Sequence, residues 1–256
     1  MLSIDINITE LAILLSILLR LSIILFMLPI FSSAGVPATL KVLIVTSFSV
    51  MLFPVIRQNI QPIPLEFASL ALVVIGELIY GILFSLSMLL ILSAFELAGD
   101  LIGFQMGFGF AQTADPLTGA RFNVLSVWTQ LLATMIFLSV NGHHVVLKVL
   151  VESFTTIPIG SFALDSGLFA KMLLLSGMLF ILAIKLAAPV LAVLILTHVG
   201  LGLMSKFAPQ INIHATSFPI TITIGIIFFG LTLSLWGEIG VESFDRLFHF
   251  LHNLSQ

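Results

Sequence analysis

Long apolar runs separated by short polar clusters dominate this chain. Six runs stand out, at 11–31, 40–55, 67–95, 122–140, 168–199 and 220–235. In lipid, a backbone must satisfy its own hydrogen bonds, so runs of this kind are helices rather than open strands. The fold expected is therefore all-α. The separators carry turn chemistry: "SSAGVPA", "RQNIQPIP", the glycine-rich stretch 103–119, "NGHH" with "PIGSFALDSG", and "APQINIHATSFP". None leaves room for a soluble domain.

The run lengths do not suit a simple bundle of spans. A clean crossing needs about 20 apolar residues. The runs 40–55 and 220–235 are shorter, while 67–95 and 168–199 are longer and carry Glu77, Lys171 and Lys185. Charge gives no orientation. With alternating spans, Lys41, Arg121 and Lys206 fall on one side and Arg57, Lys148, Lys171 and Arg246 on the other, without the imbalance that the positive-inside rule requires. Two organisations fit: an ordinary six-span protein, or broken helical hairpins packed on protein partners, where short and interrupted helices are tolerated.

Composition sharpens this picture. The chain is 59% hydrophobic and only 8% charged, against about 25% charge in soluble domains. It is expected to be an integral membrane protein or the buried part of an assembly. It has no cysteine, which excludes disulfides and thiolate metal sites. Its net charge of −3 is scattered singly, so no nucleic-acid partner is implied. "MLSIDINITE" lacks the positive n-region of a signal peptide, and the run 11–31 is longer than an h-region of about 7–15 residues. It is expected to be a retained helix.

Few residues offer chemistry. Arg20, Glu77, Glu96, Asp100 and Lys185 lie in or beside apolar runs. A charge at the bilayer centre costs at least about 2.5–3.5 kcal/mol, so such residues face a bundle interior, a partner or a water path. They serve either as an ion or proton relay or as structural pairs between helices. Pro189 deprives the Lys185 carbonyl of its helical donor, and a kink is expected there. Adjacent His143 and His144 should diverge on a helix. Glu238, Glu242, Asp245, His249 and His252 share one helical face. That stripe has the donors for a divalent ion, but it reads more simply as the wet side of an amphipathic helix whose dry side is Phe244, Leu247, Phe248 and Leu251. No metal site, cofactor or enzymatic activity is expected. No phosphate loop, G-x-S-x-G or H-E-x-x-H occurs.

The stretch "GFQMGFGFAQTADPLTG" at 103–119 is the most distinctive feature. Gly99, Gly103 and Gly107 recur every four residues, a smooth stripe on which another backbone can approach closely. Gly107 and Gly109 should then loosen the helix, and Asp115-Pro116 starts a turn. The segment reads as a tight-packing helix opening into an apolar loop. Free backbone groups cannot face lipid, so the loop lines either a cavity in protein, with Met106, Phe108 and Phe110 as a hydrophobic gasket, or a plain connection after a helix contact.

In this context "ELAGDLIGFQMGFGFAQTADPLTG" at 96–119 resembles the central motif of the FliR family, the R subunit of the flagellar type III protein-export gate. The resemblance covers nearly the whole chain. "LPIFSSAGVP" at 28–37, "FLSVNGHHVVLKVLVESFTTIPIG" at 137–160, "KLAAPVLAVLILTHVGLGLMSKFAPQINI" at 185–213 and "FPITITIG" at 218–225 are similar to further family blocks, in the same order. One departure is His198, where the family pattern has an acidic residue.

The resemblance implies an assembly with P and Q subunits in the bacterial inner membrane at the flagellar basal body, contacting membrane lipids and the B subunit of the export switch. One R subunit would close a ring of P copies, with much of the complex above the membrane plane on the periplasmic side. The fold implied is one of kinked helical hairpins, with a P-like part at 1–165 and a Q-like part at 166–256. The implied function is passage of unfolded flagellar proteins, driven by the proton-motive force and a separate ATPase. Gly103–Gly119 would be the plug loop, with Met106, Gly107, Phe108, Gly109 and Phe110 sealing the closed pore beside a methionine ring from the P subunits. Gly99 and Gly103 would serve close helix packing. The competing expectation is a secondary transporter using Glu77 and Lys185.

Overall fold

A computed structural model describes residues 8–28, 31, 36–57, 66–108, 123–161, 166–207 and 213–254. Its elements are α1 (Ile8–Met27), α2 (Ala38–Ile56), α3 (Phe67–Met106), α4 (Val124–Ser139), α5 (Gly142–Thr156), α6 (Ser166–Phe207) and α7 (Ile213–Leu254). Among the described residues, all regular secondary structure is helical. The protein is thus all-α and, by helix length and composition, integral to a membrane. Among the described residues, five helices are long and apolar enough to cross a bilayer: α1, α2, α3, α6 and α7. The pair α4 and α5 meets the same test only when taken together.

Three helices far exceed one crossing. α3 has 40 residues and α6 and α7 have 42 each, about 60 Å at 1.5 Å per residue. The hydrocarbon core is about 30 Å thick. Two differences from the apolar-run pattern follow. The run 220–235 continues without a break into the amphipathic segment, so α7 reaches Leu254. Between "NGHH" and "PIGS" lies a complete helix, α5, that no apolar run announces. Its buried residues Val146, Val149, Leu150, Ser153 and Phe154 fall at helical spacing, while the opposite face carries Lys148 and Glu152. A helix with one buried stripe breaks a hydropathy run but keeps a period of 3.6. α6 passes through Pro189 and α7 through Pro219 as continuous helices. Proline is tolerated in membrane helices because neighbouring groups take up the freed carbonyl.

The chain forms two compact units whose boundaries fall inside α3, α6 and α7. One comprises Met1–Leu89, Asn141–Leu175 and Asp245–Gln256, and the other Leu90–Val140 and Ser176–Phe244. In the first, α1 packs on α2 and buries Ile13, Ile17, Leu21 and Ile24 along one stripe, with Arg20 in the same stripe. Tyr80, Phe84 and Met88 of α3 and Phe154 of α5 are also fully enclosed there. Ile23 sits against Gly81, where a Cβ would lie 3.0 Å from it.

The second unit is centred on aromatics. Phe95 of α3 stacks on Phe244 with centroids 6.2 Å apart and meets Trp236 edge-on at 5.9 Å. Phe137 of α4 lies 5.5 Å from Phe244, and Phe229 lies 5.4 Å from Trp236. Such offset and edge-on pairs add about 0.5–1.5 kcal/mol each beyond burial. Here α6 contributes Leu182, Ala183, Leu186, Ala187, Val190 and Leu194, all buried on one face.

Candidate functional site

The glycine stripe on α3 receives two other helices within the second unit. At Gly99, an added Cβ would lie 2.8 Å from Ser126 Cα and 2.9 Å from Leu125 O, and closer still to Thr129 Oγ1. Ser126 Cα and Leu125 O are backbone atoms of α4, which cannot turn aside as a side chain can, so only glycine permits the approach. At Gly103 the same atom would lie 2.5 Å from Cγ of Asn123. Asn123 is the N-cap of α4: its Oδ1 accepts from Leu125 N at 3.1 Å. Its Nδ2 donates to Gly99 O at 3.5 Å and Asp100 O at 3.4 Å. One side chain therefore caps α4 and ties its first turn to α3. Ser126 and Thr129 turn their hydroxyls back onto α4, to Asn123 O and Ser126 O.

α3 ends where the glycines predict. Gly107 takes φ +97, a left-handed conformation that costs glycine nothing, and its N–H closes the last turn on Phe104 O at 3.0 Å. Three residues of α7 converge on this end. The ring of Phe218 covers Gly107, where a Cβ would lie 2.7 Å away. The buried Thr221 hydroxyl lies 3.1 Å from Met106 O. Gly225 faces the Met106 side chain, with a Cβ there 2.6–2.8 Å from its Cγ, Sδ and Cε. Met106 is fully buried, Phe108 half-buried, and Phe104 on the opposite side exposed. Gly109 and Phe110, also expected in the gasket, lie outside the described residues.

Among the expected charges, Arg20 and Glu77 are brought together in the first unit, at 0% and 1% exposure. The pair is bidentate: Nε donates to Glu77 Oε2 at 2.5 Å and Nη2 to Oε1 at 2.8 Å. The remaining donors reach Ser153 O, Ser153 Oγ and Ile157 O at 3.1–3.3 Å. Ser153 lies in the last turn of α5, where its carbonyl also accepts from Ile157 N–H at 2.9 Å, and Ile157 is the C-cap residue, whose own carbonyl lies beyond the helix. The guanidinium also lies 4.7 Å from the Tyr80 centroid and 4.3 Å from that of Phe154. One cation thus joins α1 to α3 and caps α5.

The other charges differ. Glu96 and Asp100 are half-buried on α3 beside Gly99. Lys185 is 56% exposed within this chain and pairs with Glu242 at 3.9 Å. On the C-terminal stripe, His249 pairs with Asp245 at 3.8 Å, and His252 reaches Glu152 of α5 at 3.6 Å. Phe244, Leu247 and Leu251 are buried on the dry side, with Phe248 half-buried. His143 and His144 do not diverge: their rings lie 4.1 Å apart. They occupy the first turn of α5 after a left-handed Asn141 (φ 54), where no preceding turn restricts their rotamers.

Sequence reasoning missed Ser153 and Ile157 around Arg20, and Thr221, Phe218 and Gly225 around Met106. Asn123 carried a readable signal, an N-cap residue directly before an apolar periodic run. The others carried none, because each acts on a residue distant in sequence.

What this arrangement defines is a membrane protein whose distinctive feature is a tightly seated helix end. The model of the bacterial export proteins, family 1, matches residues 11–247. The flagellar biosynthetic protein FliR of Pectobacterium carotovorum subsp. carotovorum is 31% identical over 226 residues, 88% of this chain and 86% of that protein. FliR of Escherichia coli (strain K12) is 30% identical over 237 residues, 93% and 90% of the two chains. FliR of Bacillus subtilis (strain 168) is 29% identical over 242 residues, 93% and 92%. The chain belongs to family 1 of the bacterial export proteins, the family of FliR, and is a membrane component of the flagellar export apparatus.

Proposed function

We propose that this chain is a channel-forming subunit of the flagellar export gate and that the segment from Met106 through Phe110 helps seal the closed pore. It acts in the inner membrane with P- and Q-type subunits and the B subunit of the export switch. Unfolded flagellar proteins pass through the assembly, much of which stands on the periplasmic side. Residues 1–165 correspond to a P-like part and 166–256 to a Q-like part.

The observation that supports the seal is the construction of the α3 end. Gly99 seats α3 against the backbone of α4 and Gly103 against the Asn123 side chain, and Gly107 ends the helix in a conformation other residues avoid. Phe108 and Phe110, which follow in sequence, are apolar, as a barrier to ions must be. The transporter reading draws no comparable support, since Arg20 occupies both carboxylate oxygens of Glu77.

Deletion of residues 108–113, with Met106 kept, tests the seal. The gate is expected to assemble with one copy of this chain beside two other small membrane proteins in native mass spectrometry, and to conduct ions when placed in vesicles. An assembled deletion variant as ion-tight as the wild type would refute the seal.

A further inference from the structure

We propose that Thr221 and Gly225 of α7 are positioning residues that fix where the sealing segment begins. This inference rests on the sealing function proposed above. Met106 is the last residue of α3, so its carbonyl belongs to the set that no helical N–H can satisfy. It is buried, and a buried carbonyl without a donor is costly. The Thr221 hydroxyl lies 3.1 Å from it. The same oxygen also lies 3.0 Å from Ser217 O and 3.2 Å from Phe218 O. A hydroxyl has one proton. The two carbonyls in its own helix bond within α7, whereas Met106 O has this donor in reach.

Thr221, Phe218 and Gly225 lie three and four residues apart, on one face of α7. Each makes a different contact with the α3 end. Gly225 forms a socket for the Met106 thioether, Phe218 covers Gly107, and Thr221 holds the carbonyl between them. A methionine side chain alone would not fix a register, because it is flexible and adapts to its surroundings. A directional hydrogen bond at the helix end does fix it. Residue 106 is thereby anchored, and Gly107 is the point at which the chain direction is set.

The test uses complete gate complexes in vesicles, with ion leak measured per assembled complex. The deletion of 108–113 is the reference for an open seal. Thr221→Val removes the hydroxyl and keeps the shape, while Thr221→Ser keeps the hydroxyl. Gly225→Ala adds a methyl whose three nearest neighbours are side-chain atoms of Met106, so it probes the same joint if Thr221→Val does not assemble. The expected result is a leak several-fold above wild type for Thr221→Val and for Gly225→Ala, below that of the deletion, and wild-type tightness for Thr221→Ser. A leaking deletion with tight Thr221→Val and Gly225→Ala overturns the positioning role and leaves the seal standing. Equal leaks for Val and Ser overturn the role of the hydroxyl. A tight deletion overturns the seal itself, and the positioning role with it.

Discussion

Replacing Glu77 by glutamine removes one charge and almost no volume, at a site with 1% exposure. Its consequence can be worked from the contacts of Arg20. The cation would remain, fully enclosed, with an amide in place of the carboxylate that now accepts from Nε and Nη2. Removing one partner of a buried pair costs about 3–5 kcal/mol, because the other charge is left uncompensated. At about 1.4 kcal/mol per tenfold, that is two to three and a half decades in the equilibrium of the first unit. Arg20→Lys is a different perturbation. It keeps the charge but loses the planar fork that serves Glu77 and the end of α5 together. Ser153 O would keep the Ile157 N–H, so the loss falls on Ile157 O, where a missing donor costs up to about 1–3 kcal/mol if the group is closed off from water.

The informative variant is the charge swap, Arg20→Glu with Glu77→Arg. If the pair mattered only as a pair, the swap would restore stability. Here it would set a carboxylate against the carbonyl oxygens of Ser153 and Ile157, both of which now accept from Arg20. The swap is therefore expected to be no more stable than Glu77→Gln. The assay is the temperature at which half of the detergent-solubilised export complex is lost, with hydrogen exchange of α5 as a local readout. Faster exchange at 153–157 is expected in every variant. A swap that matches the wild type in both measurements would refute the capping argument. A Glu77→Gln variant within about 0.5 kcal/mol of wild type, the range of ordinary surface changes, would refute the whole estimate.

Further predictions concern α3, α6 and the cap of α4. Gly99→Ala should destabilise by about 1–3 kcal/mol, the usual penalty for overpacking, because the added methyl meets backbone of α4. Gly177→Ala, with nothing within 4 Å of the added atom, should be neutral or gain up to about 1 kcal/mol of helix propensity; the same half-loss temperature compares them. Asn123→Ala should cost about 0.5–2 kcal/mol as a lost cap. Combined with Gly103→Ala it should cost less than the sum of the two, since the alanine methyl conflicts with the Asn123 amide itself; a double-mutant cycle measures the sign.

How legible these features are in the sequence depends on their range. α1, α2 and the apolar parts of α3, α4, α6 and α7 show as runs because each helix is apolar over most of its circumference. α5 is hidden because it is apolar on one face only, and Glu152 and Lys148 break any run through it. Its period was there to be read, in Val146, Val149, Leu150, Ser153 and Phe154. The glycine stripe and its end at Gly107 are local facts of sequence, and the spacing of four leads directly to them. Their partners are not local. Thr221 acts on a carbonyl 115 residues away, and Glu77 lies 57 residues from Arg20. Burial cost marks Arg20 and Glu77 as requiring partners but does not pair them. Nothing marks Thr221, an ordinary threonine in an apolar helix.

The exposed side of α6 bears on what surrounds the chain. From Met178 to Phe207 this helix leaves Met178, Phe180, Ile181, Ile184, Ile195, Leu196, Val199, Leu203, Met204 and Phe207 largely uncovered. Patches of that size are not left to water. Along a helix axis they extend for about 44 Å, against a hydrocarbon core of about 30 Å. Lipid alone would cover that length as a straight helix only at a tilt of about 47°, beyond the range of about 0–40° found for membrane helices. Part of this face therefore lies beyond the hydrocarbon core of a straight crossing, against headgroups or protein. An exposed apolar face of this length is one that the proposed hetero-oligomeric gate would cover in part.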